Sequence, residues 1–308
     1  MRIVTLVPAA TEIASEIGLG DELVGVSADS DWPPAVRSLP DVTHPRGSGG
    51  GRGIREADRL VAITHGIAAG QEVDLEALLA LAPDLVVTQE RCRVCRVAVR
   101  AVPALPDGVV GPQVVSLEAA SIEGIFNAIT TVGAMTEAED DALDLVESLR
   151  ARLGVVEERV ERRRDDGHRA RRVVALQRLL PPATCGHWIP EQIRRAGGWE
   201  VLGEDAAPSR ATTWDVIREV DPEVLLFMPA DQRIAMTRAR WQRSTRPAAW
   251  SDLTAVEHGQ VFLLDGPTGF ARPGPRVIDG IEILAEVLDP DGFVETSPPG
   301  GWAPLDPL

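Results

Sequence analysis

A long, charged, amphipathic stretch in the middle of the chain constrains the fold more than any other feature. Residues 136–139 have the Thr-x-x-Glu pattern of a capping box, which predicts that a helix begins at Thr136 and continues to about Arg163. Apolar residues recur along this helix at spacings of three and four and form one stripe: Leu143, Val146, Leu149, Leu153, Val156 and Val160. At a rise of 1.5 Å per residue the helix is about 40 Å long, enough to cross from one domain to another.

Short apolar runs alternate with helical patterns before this helix. Asp74 and Ser121 stand where the N-caps of two of the helices belong. Such alternation argues for parallel βα units. Strands are predicted over residues 3–7, 23–27, 59–63, 85–88 and 114–117, and helices over residues 11–17, 75–81 and 122–135.

The same alternation restarts after the long helix. Thr212 and Asp215 are spaced as a second capping box. From about Asp289 onward the chain is rich in Pro and Gly and is expected to be a surface tail. Strands are predicted over residues 172–177, 224–228 and 261–265, and helices over residues 190–196, 213–220, 234–242 and 277–288.

These patterns predict an α/β fold of two α/β lobes with parallel central sheets, joined by a single long α-helix, with a ligand cleft between the lobes. The predicted domains are an N-terminal α/β lobe over residues 1–135, a linking backbone helix over 136–166, a C-terminal α/β lobe over 167–290 and a Pro/Gly-rich tail over 291–308.

Charge and composition exclude several classes of function. The chain has 31 basic and 47 acidic residues and a formal net charge of −16, so neither nucleic acid nor an anionic membrane surface is an expected partner. It contains no lysine, which excludes a Walker-type phosphate loop and a Schiff-base mechanism.

The sequence also carries expectations about location. A strand-like run begins directly after Met1, with no apolar signal-peptide region before it, and no apolar run reaches the roughly 18 residues that span a bilayer. The 3 cysteines are a poor disulfide framework because their number is odd. We therefore expect a cytoplasmic protein without membrane insertion, although a chain trimmed of a leader would look the same.

Unusual residues fall in the loops that follow the predicted strands. Ligands of open α/β sheets bind at this edge, so the clustering predicts a site there. These loops hold all three cysteines, two of the five histidines and several aromatic residues, including Trp32, His65, Cys92, Cys95, Cys185, His187, Trp188 and Phe270.

The side chains in these loops allow more than one chemistry. Cys92 and Cys95 form a CxxC pair with no second pair nearby, which makes a four-cysteine zinc site improbable and leaves a redox pair or thiols that line a pocket. His187 with Trp188 supplies either an imidazole ligand and a stacking plate or a polar histidine on a helix-entry loop. No GxSxG or HExxH motif is present.

Several motifs resemble one family. In the first half these are RIVTLVPAATE at residues 2–12, VGVS at 24–27, DWPP at 31–34 and LAPDLVV at 81–87. In the second half they are PP at 181–182, GHWIPE at 186–191, AGG at 196–198 and FARPGPR at 270–276. Together they resemble the vitamin B12-binding proteins of ABC importers, which belong to the helical-backbone metal receptors, and in particular their leaderless branch.

The resemblance implies roles for individual residues. Trp32 matches an aromatic residue that lies against the corrin in B12-binding relatives, and Phe270 and Arg272 match a loop that touches the ligand from the other lobe. Glu76 and Asp215 match two carboxylates that dock onto arginines of the importer, with aspartate in place of the expected glutamate at the second position. Stacking of aromatic side chains suits a large flat ligand.

The leading hypothesis is therefore a protein that binds a corrinoid, cobalamin or cobinamide, through Trp32, His187, Trp188, Phe270 and Arg272. Cys92, Cys95 or His187 would approach the metal as an axial ligand, and an ABC importer permease would be the partner of an exported form. The alternatives are a protein that binds haem, a siderophore or a transition-metal ion, and a recruited biosynthetic enzyme that uses the same cleft.

Overall fold

The chain forms two compact α/β units. The computed structural model describes residues 1–45, 71–89, 111–230, 232–294 and 297–305. The first unit contains Met1–Ala119 and Glu123–Ser148, and the second contains Ala120–Ile122 and Leu149–Leu308. The predicted two-lobe α/β class is thereby confirmed.

The first unit is built on a four-stranded parallel sheet. Its strands are β1 (Ile3–Thr5), β2 (Leu23–Gly25), β5 (Leu85–Thr88) and β6 (Gln113–Ser116), in the order β2-β1-β5-β6. The central strands β1 and β5 are buried along their whole length, which explains why both are continuous apolar runs. A separate antiparallel pair consists of β3 (Thr43–Pro45) and β4 (Gln71–Val73).

Within the described ranges of this unit three helices accompany the sheet, and the starts of two follow from local chemistry. They are α1 (Pro8–Glu16), α2 (Leu75–Ala80) and α3 (Ile122–Thr136). Pro8 begins α1, where its missing N–H costs nothing. Asp74 caps α2 as predicted, because its Oδ1 accepts a hydrogen bond from the backbone N–H of Ala77 at 3.0 Å.

The long helix is present as α4 (Glu139–Asp165), which at 27 residues is about 40 Å long. Its predicted start at Thr136 is wrong, because Thr136 is the last residue of α3 and Glu137, with a φ of +60°, interrupts the helical backbone before α4. The predicted stripe is buried at Val146, Leu149, Leu153, Val156 and Val160, but Leu143 is 51% exposed and Ala142 takes its place.

The second unit has a mixed six-stranded sheet. Its parallel core is β7 (Arg172–Leu179), β10 (Val224–Phe227) and β11 (Val261–Leu264). The edge strand β9 (Trp199–Glu200) is parallel to β7, whereas β8 (Pro182–Thr184) and β12 (Trp302–Pro304) are antiparallel to β7 and β11. Antiparallel edges were not foreseen, because three-residue strands carry little sequence pattern.

The helices of this unit are α5 (Ile189–Arg195), α6 (Trp214–Val220), α7 (Ile234–Gln242), α8 (Thr254–Glu257) and α9 (Val277–Leu288). Thr213, not the predicted Thr212, caps α6 by accepting the N–H of Val216 at 3.2 Å. Between the sheet and these helices an aromatic cluster forms part of the core: Trp214, Phe227, Trp241 and Trp250.

One predicted strand cannot be compared with the structure, and the predicted surface tail is partly wrong. The predicted strand over residues 59–63 lies outside the described residues. The expected surface tail is wrong for residues 302–305, because β12 pairs with β11 and Leu305 is buried in the core of the second unit. None of the helices in the described ranges is both long enough and apolar enough to span a membrane.

The difference between Leu143 and Leu149 gives a matched test of the buried stripe. Leu149→Ala removes a side chain that is 3% exposed and should lower the free energy of unfolding by about 2–5 kcal/mol. Leu143→Ala, the same change on the same helix, should alter it by at most about 0.5 kcal/mol. Urea unfolding followed by circular dichroism measures both, and equal losses would contradict this assignment of the buried face.

Candidate functional site

A chain of buried hydroxyl groups organises the carboxyl edge of the first sheet. Thr11 Oγ1 lies 2.7 Å from both Thr5 Oγ1 and Ser30 Oγ, and Ser27 Oγ lies 2.9 Å from Ser30 Oγ. These hydrogen bonds tie the end of β1 and the start of α1 to the loop after β2. These hydrogen bonds were not predicted, although Ser30 stands in one of the loops that follow the predicted strands.

Trp32 lies at the end of this loop and has a side chain accessible to a ligand. It is 40% exposed, the largest exposure among the predicted ligand residues that the structure describes. The neighbouring Asp31 forms an ion pair with Arg37 at 3.6 Å, which adds a second tie to the loop. An exposed indole on an anchored loop offers a flat apolar face at low conformational cost.

In the second unit, the Gly186-His187-Trp188 segment is held by backbone hydrogen bonds. The N–H of His187 donates to Ala207 O at 2.6 Å, and its carbonyl accepts from Ala206 N at 2.9 Å. A Cβ on Gly186 would lie 2.5 Å from Ala207 O, so glycine alone permits this approach. His187 itself has a φ of +57°, an unfavourable region for a non-glycine residue and one that clusters at functional sites.

The structure brings this segment together with the predicted ligand loop around Phe270. Trp188 Nε1 donates to Phe270 O at 2.9 Å, and Gln192 Nε2 donates to Gly269 O at 2.9 Å and to Val277 O at 2.8 Å. Gly269, with a φ of +81°, packs so closely on Gly280 that a Cβ on it would lie 2.6 Å from the Gly280 nitrogen. The role of Gln192 carries no sequence signal.

The predicted ligand residues of this unit are buried, whereas Trp32 is exposed. Trp188 is 1% exposed, Phe270 2%, His187 5% and Arg272 8%. The indole of Trp188 thus has a structural role, because it positions the Phe270 loop and packs beside the His187 ring with centroids 6.0 Å apart. Ligand contact by these four side chains stays a prediction.

A buried carboxylate that the sequence analysis did not single out lies at the same edge. Asp265 follows β11 directly, and its Oδ2 accepts from Arg233 Nη1 at 2.5 Å and from Thr268 Oγ1 at 2.7 Å. Its Oδ1 and the Nε2 of Gln177 on β7 are buried without a hydrogen-bond partner within the described part of the chain. Such atoms at the carboxyl edge are suited to receive polar groups of a ligand.

Cys185, which is buried, and Glu200, which is half-buried, lie close together below this edge. Glu200 accepts hydrogen bonds from the backbone N–H groups of Ala175, Leu202 and Gly203 at 2.9–3.0 Å, yet burial raises its pKa to about 7. Burial and the nearby Glu200 also raise the pKa of the Cys185 thiol well above its ordinary value. Cys185 is therefore a neutral thiol at neutral pH, which suits packing and not nucleophilic or metal chemistry.

The predicted metal ligands are only partly placed. Cys92 and Cys95 lie outside the described residues. Within the described ranges no three His, Cys, Asp or Glu side chains come close enough to hold a metal ion together. His187 is the one predicted metal ligand that the structure describes, and its role stays a prediction.

The two predicted docking carboxylates both lie in the first turn of a short helix. Glu76 is exposed on α2 and Asp215 is exposed on α6, where its side chain has 77% exposure and lies 3.5 Å from Arg218. Acidic residues are favoured in a first turn by the helix dipole, so their position alone has a structural explanation. Docking by these residues stays a prediction.

The Trp188–Phe270 hydrogen bond can be tested by itself. Trp188→Phe keeps an aromatic side chain but leaves a buried carbonyl without its donor, which should cost about 1–3 kcal/mol of stability. The amide of Ala271, bonded to Gly266 O, should exchange hydrogen faster in this variant. Trp199→Phe, at a residue that is 57% exposed, is the matched control, and unchanged exchange in Trp188→Phe would contradict the anchoring role.

The raised pKa of Glu200 makes stability depend on pH. Between its ordinary value of 4.5 and about 7, the folded protein holds a proton that the unfolded chain releases, so stability falls as pH rises through this window. Glu200→Gln removes this contribution. Urea unfolding from pH 5 to pH 8 should show the variant gaining stability relative to wild type, whereas Glu204→Gln, at an exposed residue, should show a constant difference. A constant difference for Glu200→Gln would contradict the assignment.

Comparisons with known proteins agree with this architecture. The family model described as periplasmic binding protein matches residues 3–268. The chain is 26% identical over 298 residues to an uncharacterized ABC transporter substrate-binding lipoprotein of Bacillus subtilis, covering 96% of this chain and 82% of that protein. It is 25% identical over 295 residues to a vitamin B12-binding protein of Vibrio cholerae, covering 93% of this chain and 88% of that protein.

Solved structures share the fold along the whole chain. The periplasmic vitamin B12-binding protein of Vibrio cholerae superposes with a TM-score of 0.66 at 22% identity and covers 94% of this chain and 96% of its own. A periplasmic haem-binding protein of Pseudomonas aeruginosa superposes with a TM-score of 0.73 at 17% identity and covers 99% and 98%. The chain described here belongs to the periplasmic binding protein family.

Proposed function

We propose that this chain binds a corrinoid, cobalamin or cobinamide, without covalent chemistry. The observation that carries the proposal is the 2.9 Å hydrogen bond between Trp188 and Phe270, which joins the two second-unit segments whose motifs resemble B12-binding proteins. It is supported by the curated relatives named vitamin B12-binding proteins, which align with as much as 93% of this chain.

Trp32 and His187 are assigned different parts of this task. The 40% exposed indole of Trp32 supplies a flat surface on which a macrocycle can stack. The imidazole of His187, held on a backbone that positive φ makes unfavourable, is the candidate axial ligand, with Cys92 and Cys95 as the alternatives. Arg272 on the anchored loop after β11 offers a guanidinium for polar substituents of the ring.

We also propose that the chain, in an exported form, delivers its ligand to an ABC importer permease. One curated relative is named an ABC transporter substrate-binding lipoprotein, and its alignment covers 96% of this chain. Glu76 and Asp215 are both exposed and both lie in first turns, so each presents a carboxylate to a partner arginine. Haem remains the second ligand to test, because a haem-binding protein shares the fold with a TM-score of 0.73.

Absorption titrations with hydroxocobalamin, cobinamide and haem test the ligand directly. We expect one corrinoid to bind per chain, and we expect Trp32→Ala to weaken binding about tenfold, the equivalent of about 1.4 kcal/mol lost from stacking. Trp199→Ala, which removes an indole of similar exposure elsewhere, should leave the affinity unchanged.

The axial-ligand assignment needs its own comparison. Replacement of the cobalt-bound water by an imidazole should shift the corrin absorption bands in the wild type but not in His187→Ala, while His258→Ala, at an exposed histidine, should keep the shift. Corrinoid binding with an unchanged spectrum in all three proteins would remove His187 as a ligand but keep the binding function. Uptake of haem and of no corrinoid would overturn the corrinoid proposal.

A further inference from the structure

A pocket lies at the opposite edge of the second sheet from the candidate site. It surrounds the turn between α4 and β7, where the parallel strands begin, and has a volume of about 330 Å³. This is near the lower end of the roughly 300–1,000 Å³ typical of small-molecule sites. All of its lining residues belong to the second unit. Nothing in the corrinoid proposal uses it.

The lining of this pocket is basic although the protein is acidic. Two carboxylates, Glu223 and Asp289, lie in the walls. The cationic groups are four arginines and one histidine: Arg163, Arg164, His168, Arg169 and Arg171. With His168 neutral, the four guanidinium groups exceed the two carboxylates by two positive charges. The lining therefore carries an excess of positive charge in a chain of net charge −16, and the neighbouring Asp166 and Asp291, which also act on Arg163, lie outside it.

Two of the arginines are neutralised by bidentate ion pairs that build the walls. Arg163 donates to both oxygens of Asp289 at 2.5 and 2.8 Å, and Arg169 donates to both oxygens of Glu223 at 2.6 and 2.8 Å. These bonds hold the pKa of both carboxylates below their ordinary values. Both therefore stay ionised at neutral pH and keep their arginines in place.

The other two arginines have no carboxylate of their own. Arg171 donates to Gln260 Oε1 at 2.7 Å and to Leu288 O at 3.5 Å, and partial burial lowers the pKa of its guanidinium. Within the described ranges, the side chain of Arg164 has no hydrogen bond or ion pair. Arg171, partly desolvated and with no carboxylate hydrogen-bonded to it, and the exposed Arg164 are the two guanidinium groups that an anion entering the pocket can pair with.

Apolar residues complete the lining and indicate more than a bare ion. Val160, Leu288 and Phe293 are all at least 94% buried and form part of the wall. Because the volume exceeds what a single phosphate or carboxylate group needs, an uncharged organic portion of the ligand has room beside them.

We propose that this pocket binds a small organic dianion, whose charged groups pair with Arg164 and Arg171 and whose body packs on the apolar wall. Two ligand types share this chemistry, a phosphate monoester and a dicarboxylate. The planar guanidinium fork matches both, since each presents two oxygens in one plane.

Calorimetric titration of the full chain with phenyl phosphate and with isophthalate at pH 8 tests the proposal and distinguishes the two types. We expect one of them to bind one-to-one, with benzoate, which has the ring and one charge, at least tenfold weaker. Arg164→Gln should weaken binding about tenfold, and so should Arg171→Gln if its fold is intact by circular dichroism.

Arg162→Gln is the matched control, because Arg162 is an exposed neighbour on α4 that pairs with Glu158 at 3.8 Å and does not line the pocket. It should keep wild-type affinity. Equal weakening by Arg162→Gln and Arg164→Gln would show diffuse charge attraction and overturn the site, as would failure of both probes to bind the wild type. Corrinoid binding is measured separately by absorption, so its outcome does not depend on the result of the calorimetric titrations.

Discussion

The architecture of the second unit depends on hydrogen bonds from side chains at α5 to backbone carbonyls of the segment that follows β11. Trp188 and Gln192 are both fully buried, and together they satisfy three backbone carbonyls between residues 269 and 277. A loop of this length would otherwise need solvent or secondary structure for these groups. The result is a hydrogen-bonded carboxyl edge, which carries His187 with its positive φ and the loop that contains Arg272.

The two edges of the second sheet present different kinds of polar group. At the carboxyl edge, buried polar atoms of Gln177 and Asp265 follow the ends of parallel strands. At the amino edge, α4 ends in three successive arginines that suit a helix C-terminus, and the turn into β7 adds more. The arginines that stabilise the C-terminus of α4 therefore also supply part of the positive charge of the pocket.

Most of the fold could be predicted because its elements have strong periodic patterns. The strand at 85–88 and the helix at 277–288 were predicted to the residue, since the spacing of apolar residues shows which positions are buried in a parallel strand or an amphipathic helix. Short edge strands were missed because they carry little pattern. Leu143 was wrongly placed in the buried stripe, because a 3.6-residue period allows neighbouring helix faces and only packing decides which one is buried. The motif around residues 186–188 pointed to the candidate site, but Gln192 and Asp265 gave no signal, since one buried glutamine or aspartate resembles any other.

By itself, the sequence determined the α/β class, the long central helix and the set of loops in which unusual residues collect, because each is a matter of local periodicity and composition. Only the tertiary structure decided which of those residues face solvent and which are interior. It buried Trp188 and Phe270, left Trp32 exposed, and paired Arg163 and Arg169 with the distant carboxylates of Asp289 and Glu223. Burial and charge compensation arise from contacts between residues distant in sequence, and no local pattern records them.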